Sequence, residues 1–209
     1  MTLSENPRVA GSIPALATIQ ALTADPAQVN TLRLDNMDMN FKKIMIFGRP
    51  GSGKSTFASS LACVSNLPLH HLDKHFYAAR WTKRNYDEFL SIQKNIVNSN
   101  AWIIDGNCTS SFEMRWSKAD LVLYFNFPKV ICYFRILKRF FKPNKMLDDR
   151  ASGCYETIRF SLLKYIWSFE ERVSTQVALL KEKYPDTVFR EIKSKNDLSK
   201  LNQELTDTT

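Results

Sequence analysis

The sequence predicts an α/β domain, a five-stranded parallel sheet with helices on both faces. Residues 48–55 read Gly48-Arg49-Pro50-Gly51-Ser52-Gly53-Lys54-Ser55, a complete G-x-x-x-x-G-K-[ST] phosphate loop. That loop sits between an apolar run ending at Phe47 and a helix-forming run starting at Ser55. Beyond it, short apolar runs alternate with runs of helical period. Such alternation places successive strands in parallel, with the connecting helices packed on the sheet in three layers.

Each element follows from local pattern. Residues 43–47 are apolar and rich in β-formers, as in a buried strand. The loop glycines let backbone N–H groups turn inward, and the helix behind adds positive potential at its N-terminus. Residues 67–72 read as the second strand. Tyr86–Val97 reads as a helix, with Phe89, Ile92 and Ile96 at helical spacing. Residues 101–104 form the third strand, ending at Asp105-Gly106. Leu121–Phe125 is the fourth, closed by Pro128. Residues 130–141 make a basic amphipathic helix, 142–153 a polar, turn-prone stretch and 156–183 a long helix. Residues 187–192 alternate as strand five. A terminal helix spans 197–205, capped at Asn196 or Asp197.

Composition narrows the class. With 209 residues and 44% hydrophobic content the chain is long and apolar enough to bury a core. Cys63, Cys108, Cys132 and Cys154 form no C-x-x-C pair, and no secretory signal precedes them. They read as reduced thiols of a cytoplasmic protein. No apolar run approaches the roughly 20 residues of a membrane span, so no membrane partner is expected. The formal charge is +8, gathered partly at Arg135, Lys138, Arg139, Lys142 and Lys145. These cations suit a lip closing over nucleotide phosphates or a nucleic-acid surface; the phosphate loop favours the lip.

The chain divides into residues 1–40 and a phosphate-loop domain over 41–209. The first 36 residues are poor in aromatics and lack a sustained period, as in a disordered arm. Residues 8–18 can be encoded by the 3′ end of a transfer-RNA gene, since Gly11-Ser12-Ile13-Pro14 fits GGTTCGATTCC of the T-arm. The expectation is a non-native extension translated from an upstream gene, with the native start at Met37 or Met39. A flexible arm or a short helix over 14–22 is the plainer alternative.

The chemistry gathers after the strands, where open parallel sheets bind ligands. Gly48, Pro50, Gly51, Ser52, Gly53, Lys54, Ser55 and Thr56 are expected to hold ATP. Lys54 would reach the β- and γ-phosphates, and the Ser55 hydroxyl would ligate Mg²⁺. Asp105 is placed to hold a Mg²⁺-bound water; a turn-forming Asp-Gly pair is the alternative. Asp73, after strand two, is the candidate to orient or deprotonate an acceptor hydroxyl, with a helix cap as the alternative. Should the acceptor group be a phosphate, Asp73 would instead bind a sugar hydroxyl or a metal water. His70, His71 and His75 do not read as a metal site, because strand neighbours point to opposite faces and no cysteine lies close. Phe76, Tyr77 and Trp81 suit stacking on a base or sugar, or ordinary packing. Asn107 lies beside the Asp105 turn, and both it and Tyr77 are assigned to substrate. Arg115 suits a two-pronged clamp on an acceptor phosphate, or a solvated surface. Arg139 and Arg150 flank the segment expected to close over the γ-phosphate and exclude water.

Together these residues carry a resemblance. The loop, Leu69 to Tyr77 with Leu72-Asp73, Trp102-Ile103-Ile104-Asp105-Gly106-Asn107, Arg115, Ala119-Asp120 and Arg135-Ile136-Leu137-Lys138-Arg139 are similar to adenylate-kinase-related P-loop proteins of the topology modulation (FlaR-type) group. Arg150 to Glu156 also resembles that group's pattern. The similarity covers about residues 43 to 180. It implies a nucleoside-monophosphate-kinase-like fold using ATP and Mg²⁺, with an acceptor-side helical region near 74–100 and a short lid near 140–153. Adenylate kinases carry Asp-Gly-Phe-Pro-Arg where this chain has Asp105-Gly106-Asn107-Cys108, so AMP is not carried over as acceptor. The Asp73 turn also resembles small-molecule hydroxyl kinases such as uridine or gluconate kinases. The expected function is an ATP-dependent small-molecule kinase; the alternative is a DNA-associated ATPase or regulator. Intact-mass measurement of the protein from its own host should show a chain starting at Met37 or Met39; a mass that includes residue 1 overturns the extension reading.

Overall fold

The computed structural model describes residues 40–76, 85–141 and 160–207. Expectations for residues 1–39, for Tyr77 and Trp81, and for Arg150 and the 142–153 part of the lid fall outside these residues. Five strands, β1 (Lys43–Gly48), β2 (Leu69–His71), β3 (Trp102–Asp105), β4 (Leu121–Phe125) and β5 (Val188–Ile192), form one sheet in the order β2-β3-β1-β4-β5. Every pairing is parallel, as the alternation of strands and helices predicts. The helices are α1 (Lys54–Ser65), α2 (Leu72–Phe76), α3 (Tyr86–Val97), α4 (Phe112–Trp116), α5 (Lys129–Phe141), α6 (Phe160–Lys183) and α7 (Lys195–Asp207).

β1 is the middle strand and shows why both faces are covered. Its side chains alternate, with Ile44 and Ile46 in one apolar layer and Met45 and Phe47 in the other. The first layer packs Phe57 and Leu61 of α1 and Leu201 and Leu205 of α7. The second packs Phe89 of α3, Trp116 of α4 and Phe169 and Val173 of α6. Phe47 stacks on Tyr124 with ring centroids 4.8 Å apart and meets Phe112 at 4.7 Å. Burying one such aromatic stabilises the fold by about 1.5–3 kcal/mol. At the far end of the sheet, Lys42 and Lys43 N–H both donate to Asp120 Oδ2, at 2.9 and 2.8 Å. That carboxylate fastens the entry of β1 to the entry of β4.

Of the boundaries that differ from the sequence expectation, two have a clear physical cause. β2 stops at His71, and Leu72 and Asp73 open α2. Pairing ends there because His71 is in register with Asp105, the last residue of β3. The next β3-side residue is Gly106, against which the Leu72 side chain packs. The terminal helix begins at Lys195, earlier than predicted. Ser194 Oγ accepts from Asp197 N–H at 3.2 Å while Asp197 Oδ2 accepts from Ser194 N–H at 2.9 Å. This reciprocal capping box moves the cap from Asn196 or Asp197 to Ser194. Among the described residues no helix is long and apolar enough to cross a membrane.

The exit of β1 sets the position of the loop. A Cβ on Gly48 would stand 2.3 Å from the Phe125 carbonyl oxygen of β4. Only glycine lets the two backbones approach this closely. Gly48→Ala is expected to cost about 2–3 kcal/mol, as an overpacked site with no side chain free to yield, read as a lower urea midpoint at unchanged slope.

Candidate active site

The loop runs from β1 into α1 and is shaped by its glycines. Gly51 and Gly53 have φ of 81° and 95°, in the left-handed region. Gly53 is the N-cap of α1 and makes no side-chain cap, so no side chain caps the first turn of the helix. The leading N–H groups of a helix have no carbonyl of their own helix to reach, and they attract anions. The loop therefore fits a chain of phosphates. It is also held from behind. A Cβ at Gly51 would lie 2.6 Å from the Cys132 carbonyl oxygen and 2.9 Å from Ile136 Cγ1, both on α5. Arg135 of α5 donates through Nη1 to the Ser52 carbonyl at 2.6 Å and lays its guanidinium over the Phe127 ring at 4.7 Å.

Below the loop lies a buried ion cluster. Asp105 is 3% exposed at the end of β3. Its Oδ2 meets His71 Nδ1 at 2.9 Å, and its Oδ1 lies 3.4 Å from Lys54 Nζ. Lys54 Nζ also donates to Ser55 Oγ at 3.1 Å. Burial pushes the Asp105 carboxyl up, but Lys54, the His71 contact and the Ser55 hydroxyl outweigh it and hold it at about 2. The group is thus an anion under any ordinary condition. Its Oδ1 has no hydrogen-bond partner among the described residues. A buried carboxylate oxygen beside a hydroxyl is a donor set that suits Mg²⁺, a hard cation bound through oxygen and water. The structure brings Ser55 and Asp105 together around Lys54.

Asp73 is exposed in the first turn of α2, at the same end of the sheet. Across from it lies Tyr165 of α6. Burial pushes the Tyr165 phenol up to about 12; Arg172 opposes this, and the charges at Asp73 and Cys108 reinforce it. Asp73, Cys108 and Tyr165 thus share one neighbourhood. Cys108 Sγ lies 3.3 Å from Ser110 Oγ, which accepts from the Tyr86 hydroxyl at 2.6 Å.

Two substrate assignments are corrected. Asn107 is turned toward the protein: its Oδ1 accepts from Gly48 N–H at 2.9 Å and its Nδ2 donates to the Gly48 carbonyl at 2.8 Å. It copies a strand's hydrogen bonding where β1 has run past the end of β3. Arg115 is fully buried, and its guanidinium donates to the carbonyls of Ser111, Gly106 and Cys108 at 3.3, 3.0 and 2.6 Å. It organises the turn after β3 and presents no fork to a ligand.

Other residues carry more than their sequence signal. His71 was one of three histidines of equal standing, and only the β2–β3 register sets it beside Asp105. Arg49 occupies a free position of the loop motif yet is 1% exposed. It donates to the Phe127 carbonyl and to Glu170 Oε2, the latter at 3.0 Å, tying the loop to α6. Asn126 bridges Glu170 and Glu191 at 3.3 and 2.9 Å, extending that tie to β5. Arg139 lies one helical turn beyond Arg135 on α5.

Comparison with protein-family models finds no match, and comparison with curated proteins finds none. Among solved structures the chain is similar to shikimate kinase from Bacteroides thetaiotaomicron, at 15% identity and a TM-score of 0.46 over 80% of this chain and 98% of that one. It is also similar to a sugar kinase from Janibacter sp. HTCC2649, at 15% identity, TM-score 0.47, 79% and 94%. A gluconokinase from Sinorhizobium meliloti 1021 aligns at 13% identity, TM-score 0.48, 83% and 97%. At these values the chemistry of this chain rests on its own site.

Asn107→Ala strips the Gly48 backbone of both partners. It should lower stability by about 1–3 kcal/mol and weaken Mg·ATP binding measured by calorimetry. A direct substrate role would leave both unchanged and move only the KM of the acceptor.

Proposed function

We propose that the chain is an ATP-dependent kinase that moves the γ-phosphoryl group to a small acceptor, a nucleotide, nucleoside or other hydroxylated metabolite. The observation that carries this reading is the convergence at one end of the sheet of an uncapped glycine loop and the Lys54–Ser55–Asp105 cluster, with Asp73 opening α2 beside them. The resemblance of these residues to topology modulation proteins points to the same nucleotide chemistry.

When bound, Mg²⁺ supplies charge that neutralises the phosphates. The loop N–H groups hold the phosphate chain in place. Lys54 leaves its contact with Asp105 and Ser55 for the phosphoryl oxygens. Ser55 and Asp105 then hold the metal side, with the Asp105 carboxylate kept ionised and aimed by His71. Asp73 accepts the proton of the acceptor hydroxyl as its oxygen bonds to phosphorus and the bond to the ADP oxygen breaks. If the acceptor group is a phosphate, no base is needed and Asp73 orients the rest of the molecule. Arg139, and Arg150 beyond the described residues, add positive charge where the transferred group is most negative.

Burial of Arg115 weighs against an acceptor phosphate gripped at that position. The acceptor contacts proposed instead are Asp73 and Tyr77, with Tyr165 and Cys108 alongside.

ADP release from Mg·ATP should rise with one member of a panel of nucleoside monophosphates, nucleosides and sugar acids. Asp73→Ala should remove that transfer, lowering turnover by about 10²–10⁴-fold for loss of a general base, and spare ATP binding. Stimulation by duplex DNA alone, steeply salt-dependent, would overturn the kinase reading in favour of a DNA-associated ATPase.

A further inference from the structure

Helix α5 has two unlike faces. Its inner face, with Cys132 and Ile136, holds the phosphate loop. Its outer face is apolar and, among the described residues, uncovered: Val130 is 77% exposed, Phe134 66% and Leu137 50%. These three stand at i, i+4 and i+7, so they form one stripe along the helix. The beginning of α6 extends the stripe, with Phe160 at 83% and Trp167 at 63% exposed. The two helices are joined side by side, since the Tyr133 hydroxyl donates to the Leu163 carbonyl at 2.7 Å and Lys129 Nζ lies 4.3 Å over the Trp167 ring.

The α5 border of this apolar surface is cationic. Lys129 and Lys138 flank it on α5, which contains no acidic residue. Lys164 lies on the α6 part between Phe160 and Trp167, and the acidic pair Glu170 and Glu171 follows one turn beyond Trp167. Exposed large apolar side chains at the centre, lysines at the rim and a tryptophan between them are the attributes of a helix that lies in a lipid interface. A helix lying on a surface needs no spanning length, so the absence of a crossing segment does not bear on it. Two other occupants fit less well. A second copy docked through the same face would bring like-charged lysine rims together. Duplex DNA would satisfy the lysines and leave the apolar centre against phosphates.

We propose that the outer face of α5, continued by the start of α6, is a peripheral docking surface for a bilayer rich in anionic lipid. The apolar stripe enters the headgroup–acyl boundary, and Lys129, Lys138 and Lys164 meet the lipid phosphates. The same helix that braces the nucleotide loop would then rest on the membrane, with the loop on its opposite side.

The test is sedimentation of the full chain with vesicles of phosphatidylglycerol and phosphatidylcholine, against vesicles of phosphatidylcholine alone. Partitioning onto the anionic vesicles should be at least about tenfold stronger. It should be accompanied by a blue shift of tryptophan emission that is missing in Trp167→Phe. Phe134→Asp with Leu137→Asp should lower partitioning about tenfold or more and leave the thermal midpoint unchanged, since both side chains are exposed. The proposal falls if anionic vesicles do not retain the protein, or if the double variant binds them as well as the parent. It also falls if that variant instead abolishes a dimer seen by analytical ultracentrifugation or the binding of duplex DNA.

Discussion

Asp105 is a carboxylate buried beneath the phosphate loop, and much of the site is arranged to keep it charged there. An isolated buried anion is costly enough that it would ordinarily take up a proton. Here Lys54 approaches from α1 and His71 from β2. Each contact requires a different piece of the fold. The lysine reaches the carboxylate because the loop turns back over β3, and the histidine because β2 and β3 are paired in one register. Removing any of these would leave a charge buried without its partner, a larger penalty than the net worth of the pair. The cluster is therefore a constraint on strand register as well as a candidate metal site.

The loop itself is held from three sides by contacts that its motif does not specify. Asn107 pairs with the Gly48 backbone from the β3 side. Arg49 reaches through the loop to Phe127 and Glu170. Arg135 and the backbone of Cys132 press on it from α5. A phosphate cradle works by presenting N–H groups in fixed positions, so that little reorganisation accompanies binding. Backbone and arginine contacts from β3, β4, α5 and α6 supply that rigidity. They also mean that a change on α5 is felt at the loop within one layer of packing.

Much of the architecture was legible in the chain. The alternation of β1, β3 and β4 with helices predicted parallel pairing, because short apolar runs bounded by turn residues read unambiguously when they recur. The loop was legible because its glycines are required by backbone geometry and its lysine and serine by phosphate and metal chemistry. The places of Asp73 and Asp105 at the carboxyl end of the sheet were legible, since both follow short apolar runs that read as strands. Asn107 and Arg115 were misassigned for one physical reason. A polar side chain beside a site can face the ligand or the backbone, and local sequence carries no signal of which.

The sequence by itself determined what depends on neighbours along the chain: strand and helix type, the glycine loop, and which carboxylates end strands. Only the tertiary structure decided what depends on neighbours across it. The β2–β3 register chose His71 from three histidines, the end of β3 alongside β1 turned Asn107 inward, and the turn after β3 buried Arg115 among three carbonyls. The packing of α5 against the loop decided which of its faces turns away from the loop. Hydrogen-bond satisfaction and burial are set by groups distant in sequence, which is why they cannot be read from spacing alone.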